Sequence, residues 1–77
     1  MKIVIKNTKT VEEFKNLHAK IEKLAVEYSQ KHMAVCEKWE NGEPVKAWQD
    51  ADNNICIEYS NGQWWHYRMN NNQLEWW

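Results

Sequence analysis

The sequence predicts an α+β domain in the order β-α-β-β-β-β, a short strand and one long helix followed by an antiparallel meander of about four to five strands. Three observations carry this. Residues 11–32 form an amphipathic stretch without Gly or Pro, the apolar period then changes from 3.6 to 2, and the only two glycines each follow an asparagine. Asn-Gly between β-rich runs is a strong hairpin signal. With 77 residues there is room for a single small domain.

Lys2 to Lys6 alternates polar and apolar residues around the β-branched Ile3, Val4 and Ile5, and reads as a strand. Thr10-Val11-Glu12-Glu13 has capping-box spacing: the Thr10 hydroxyl is expected to take the Glu13 amide, and the Glu13 carboxylate that of Thr10. Phe14, Leu17, Ile21, Leu24 and Tyr28 follow at steps of three and four, a stripe that one helix face must bury. His18, Ala25 and His32 run along its edge.

Beyond the helix, Val35-Cys36-Glu37-Lys38-Trp39-Glu40-Asn41-Gly42-Glu43 aligns with Ile55-Cys56-Ile57-Glu58-Tyr59-Ser60-Asn61-Gly62-Gln63 at an offset of 20. The repeat predicts two hairpins in series, so the single domain divides into strand 2–6, helix 11–32, hairpin 33–50, hairpin 54–69 and terminal strand 74–77. Two-residue type I′ turns at both Asn-Gly pairs would place Glu37 opposite Lys46 and Tyr59 opposite Trp64. Ile55, Ile57, Tyr59, Trp64, His66 and Arg68 would then share one face, and Cys56, Glu58, Trp65, Tyr67 and Met69 the other.

Composition and charge narrow the function. Leu, Ile, Val and Phe number only 14, but ten aromatic residues, six of them Trp, supply the missing apolar volume. Residues 1–38 carry eight Lys against five Glu, a charge of +3; residues 39–77 carry Lys46 and Arg68 against six acids, a charge of −4, and hold eight of the ten rings. One helix covers one face of a sheet, so part of this aromatic surface is expected to be exposed as an interface. The acidic, Trp-rich half suits a partner protein with a basic surface. Trp39, Trp48, Trp64, Trp65 and Trp77 are the expected anchors, with Glu43, Asp50, Asp52 and Glu58 as steering charges.

The alternative is a nucleotide or single-stranded nucleic acid stacked on Trp64, Trp65, His66, Tyr67 and Arg68. Two cations against six acids make nucleic acid the weaker choice. A homodimer that pairs its own exposed cluster is the third reading. No metal is expected: Cys36, Cys56, His18, His32 and His66 lack Cys-x-x-Cys or His-x-x-x-His spacing. Asp50, Asp52 and Asn54 begin like a calcium loop, but Ile55 stands where its glycine belongs and Asn61 where its glutamate belongs. With no Gly-rich phosphate loop, nucleophile elbow or zinc-protease motif, the chain is expected to be non-catalytic and free of cofactors. It has neither a signal-type h-region nor a membrane-length apolar run, which predicts a cytoplasmic location.

The repeat and the ending Trp64-Trp65-His66-Tyr67 … Leu74-Glu75-Trp76-Trp77 resemble short phage and prophage proteins that pair an N-terminal helix with a Trp-rich meander. Such proteins include inhibitors of bacterial immunity, among them anti-CRISPR proteins. The resemblance implies an inhibitor acting by stoichiometric binding in the host cytoplasm. It assigns no individual site residue. The Asn-Gly turns are also similar to those of MORN repeats, but the 20-residue period and the lack of further glycines set the chain apart from them.

Overall fold

The computed structural model describes residues 1–77 and contains the expected element order: β1 (Lys2–Val4), α1 (Val11–Val35), β2 (Pro44–Gln49), β3 (Ile55–Tyr59), β4 (Trp64–Asn70) and β5 (Gln73–Trp76). The strands form one five-stranded sheet in sequence order. β1 joins β2 in parallel through the α1 crossover, and every other pair is antiparallel.

The helix begins where its cap predicts. Thr10 Oγ1 accepts the Glu13 amide at 3.0 Å. The Glu13 carboxylate reaches one residue further back than a capping box requires and takes the Lys9 amide at 2.9 Å. Instead of stopping near His32, the helix continues to Val35, because no Gly or Pro interrupts it; Cys36 then caps it in extended conformation. Its 25 residues span about 37 Å. Toward its two ends Phe14 is 43% and Val35 67% exposed.

Phe14 thus falls outside the core it was expected to join. The buried helix face is Ile21, Ala25, Tyr28, Ser29 and His32, turned from the predicted stripe toward its histidine edge. This face meets Ala47, Ile55, Ile57, Tyr59 and Tyr67 of the sheet, with Trp39, Trp65, Leu74 and Trp76 packed around them. His32 lies at the centre of that contact, not on its flank. Its ring stacks on Trp76 at 4.3 Å between centroids and meets Trp39 and Trp65 edge-on at 4.9 and 5.2 Å. Its Nδ1 bonds the Tyr67 hydroxyl at 2.7 Å, and that hydroxyl bonds the Tyr59 hydroxyl at 2.6 Å. Burial holds the His32 pKa below its ordinary value and raises those of both tyrosines.

The expected hairpin over 33–50 does not form. Residues 33–35 are the last turn of α1, and residues 36–43 lead to β2 without a strand. Glu37 therefore has no cross-strand partner in Lys46, which pairs with Glu58 instead. The first Asn-Gly packs beside the second: Asn61 N donates to Asn41 O at 3.2 Å, and Asn61 Nδ2 to Asn41 Oδ1 at 2.8 Å. Gly42, at φ +80°, is needed for this approach, since a Cβ there would overlap the Ser60 side chain.

The turns that do build the meander come in two kinds. Tyr59 N donates to Gln63 O and Gly62 N to Tyr59 O, closing a three-residue loop with Gly62 at φ +89°. Asp50 N to Asn54 O and Asn53 N to Asp50 O close the same loop one hairpin earlier, with Asn53 at φ +65° in the glycine's place. The two-residue turn with both central residues at positive φ lies at Asn71-Asn72, which is the type I′ geometry expected of the Asn-Gly pairs.

A three-residue loop at 60–62 changes the register by one. Glu58 faces Trp64, Ile57 faces Trp65, Cys56 faces His66 and Ile55 faces Tyr67. In a strand such a slip exchanges the faces. Trp65 and Tyr67 join Ile55, Ile57 and Tyr59 under the helix, while Trp64, His66 and Arg68 move to the opposite face. Backbone pairing continues past β5, with Trp77 exchanging hydrogen bonds with His66 at 3.0 and 3.2 Å, so the terminal strand reaches the last predicted residue in its pairing.

Candidate functional site

Strand alternation and the observed register bring Lys2, Lys46, Trp48, Cys56, Glu58, Trp64, His66, Arg68 and Glu75 to the sheet face away from the helix. The hydrogen-bonded pairing of Trp77 with His66 places its ring here too. The rings form a continuous row. Trp48 meets Trp64 at 5.4 Å, Trp64 meets His66 at 4.8 Å, and His66 stacks on Trp77 at 4.9 Å with only 2° between planes. Trp64 is 47% and Trp77 50% exposed, large values for tryptophans held in contact with other rings.

Cations frame both ends of this row. Lys46 Nζ sits 5.3 Å from the Trp48 ring, and the Arg68 guanidinium 5.4 Å from Trp77. Each is also paired across the strands, Lys46 with Glu58 at 3.9 Å and Arg68 with Glu75 at 2.8 Å. Arg68 is the largest influence on Glu75 and holds its carboxyl below the usual carboxylate range. The face is therefore close to charge-balanced, whereas an acidic one was expected. The excess acid of this half lies in loops, at Glu40, Glu43, Asp50 and Asp52.

Of the five expected anchors, the fold gathers Trp48, Trp64 and Trp77 on this face. Trp39 and Trp65 belong to the aromatic packing around His32; Trp39 is further tied by Nε1 to the Gly42 carbonyl at 2.7 Å. Of the expected steering charges, Glu58 lies on the face in its ion pair, and Glu43 and Asp52 are exposed in loops. Asp50 is a turn-forming residue: Oδ1 accepts the Asp52 and Asn54 amides at 3.0 and 2.8 Å, and Oδ2 accepts Asn54 Nδ2 at 3.1 Å. Burial alone would raise the Asp50 carboxyl, but those hydrogen bonds outweigh it and hold the group below its ordinary range. The base-stacking set is split in the same way, with Trp64, His66 and Arg68 outward and Trp65 and Tyr67 inward.

The register also assembles a group that sequence spacing hides. Cys56 and His66 face each other across β3 and β4, and Asp50 comes up beside them from the turn before β3. Their ligand-type atoms all lie within 4.8 Å of one another. Cys56 is only 1% exposed, and burial followed by the Asp50 carboxylate pushes its thiol up to about 11. Asp50 and Cys56 lie six positions apart and Cys56 and His66 ten, so only the correct strand pairing could have revealed the triplet. A cavity of about 540 Å3 shares Asp50 with this group and is lined also by Val4, Ile5, Leu17, Lys46 and Trp48.

No helix is long and apolar enough to cross a membrane. The chain matches no family model, no curated protein and no solved structure.

Proposed function

We propose that the protein is a non-catalytic binding module that docks a partner protein on its open sheet face, with Trp64 and Trp77 as principal anchors and Trp48 beside them. The observation that carries this reading is the exposed ring row. Two half-exposed tryptophans at its centre and end, with no element of the chain over them, are the kind of surface that concentrates binding energy in protein interfaces. Stoichiometric inhibition, the role implied by the phage-type resemblance, needs only such a face. The acidic loops favour a basic partner, and RNA-guided effector complexes, whose nucleic-acid channels are strongly basic, are the first partners to try.

Base stacking is weaker on the same geometry. Lys46 and Arg68 would have to give up Glu58 and Glu75 before neutralising phosphate. The test is calorimetric titration of the chain against purified effector complexes. The expected result is a one-to-one complex that weakens with salt and loses tenfold or more in affinity in Trp64→Ala. Equal binding by Trp64→Ala and Trp77→Ala would refute the docking face. Tryptophan quenching by oligonucleotides without any protein present would establish the base-stacking reading instead, and concentration-dependent sedimentation would establish the homodimer.

A further inference from the structure

We infer that Asp50, Cys56 and His66 form a binding site for a divalent transition metal, zinc by its ligand set, at the edge of the open face. The three side chains offer one carboxylate oxygen, one thiolate and one imidazole nitrogen, the donor types of tetrahedral zinc. In such a site the donors stand roughly 3.3–3.7 Å apart, given metal–ligand bonds of about 2.0–2.3 Å. From separations within 4.8 Å, closure needs movements of about an ångström.

Each ligand is already held by a second group, as metal ligands commonly are. His66 Nδ1 lies 3.3 Å from the Trp77 carbonyl, a contact that helps hold the ring in place. Stacking on Trp77 and contact with Trp64 fix the plane of the ring. Asp50 is locked by three donors from its own turn, and the Cys56 thiol points at its Oδ2 from 3.9 Å. That S–H···O contact marks where a metal would bridge. On binding, the thiol proton is lost to solvent and sulfur, oxygen and nitrogen bond the cation, so one proton is released per metal and no redox change occurs. The charges of one thiolate and one carboxylate cancel that of the metal. The fourth position falls to water.

The reduced 77-residue chain should therefore bind Co2+ with a thiolate charge-transfer band and the intense visible bands of four-coordinate cobalt, both abolished by stoichiometric Zn2+. Cys36→Ser should leave the spectrum unchanged, while His66→Asn should weaken Co2+ binding at least tenfold and Cys56→Ser should remove the charge-transfer band. Since Cys56→Ser alters a buried position, His66→Asn is the decisive variant, and its urea midpoint without metal serves as the folding control. Absence of a charge-transfer band in the wild-type chain, a band lost in Cys36→Ser, or undiminished affinity in folded His66→Asn would overturn the assignment.

Discussion

Each face of the sheet carries a histidine set among tryptophans, and the two settings differ in what encloses the ring. His32 comes from the helix and is surrounded by Trp39, Trp65, Tyr67 and Trp76, with its one polar contact a tyrosine hydroxyl. His66 comes from the sheet and has Trp64 and Trp77 on its flanks, but a carboxylate and a thiol beside it and solvent beyond. The difference follows from a single helix lying on a two-faced sheet. Where the helix covers the strands, aromatic residues substitute for missing aliphatic volume and stabilise the fold. On the other face the same residue types remain available for recognition and ligation.

The largest expected effect lies on the covered face. Tyr59 is fully buried, so Tyr59→Ala should cost about 3–5 kcal/mol and unfold much of the population, as measured by urea denaturation. Tyr67→Phe keeps the ring but strands His32 Nδ1 and the Tyr59 hydroxyl; the expected loss is about 1–3 kcal/mol. If Tyr67→Phe were neutral, the hydroxyl chain would contribute nothing to stability.

His32 gives the comparison a pH dependence. Its folded pKa is depressed by burial, so below its ordinary value of 6.5 the unfolded chain takes up a proton that the folded chain refuses. The stability contributed by neutral His32 is complete above about pH 6.5 and declines as the pH falls toward the folded value, by up to about 1.4 kcal/mol per pH unit. Urea midpoints between about pH 7.5 and pH 5 should trace that decline. The smallest effect is expected on the open face, where Trp77→Ala removes a half-exposed ring and should change stability by no more than about 1 kcal/mol.

The fold class was readable because its signals are local. Thr10 and Glu13 mark the helix start within one turn, and the change of period after the helix announces strands. What escaped was decided by distant partners. The helix ran on through Met33, Ala34 and Val35 because nothing there forbids it, and this consumed the first strand of the expected repeat. The decisive miss was at Ser60-Asn61-Gly62, where a three-residue loop replaced a two-residue turn. One residue of register moved Trp65 and Tyr67 into the core, turned Trp64 and His66 outward, and set Cys56 opposite His66. The Asn41-Gly42 segment packs against this loop, a contact between residues twenty apart that no local signal announces.

The adjacent tryptophans of β4 test the division between faces most directly, since Trp64 and Trp65 share a strand and a chemistry and differ only in the side they occupy. Equilibrium urea denaturation of Trp64→Ala and Trp65→Ala should show Trp65→Ala destabilised by at least about 2 kcal/mol and Trp64→Ala by no more than about 1 kcal/mol. Equal losses, or a larger loss for Trp64→Ala, would contradict both the register and the assignment of the open face.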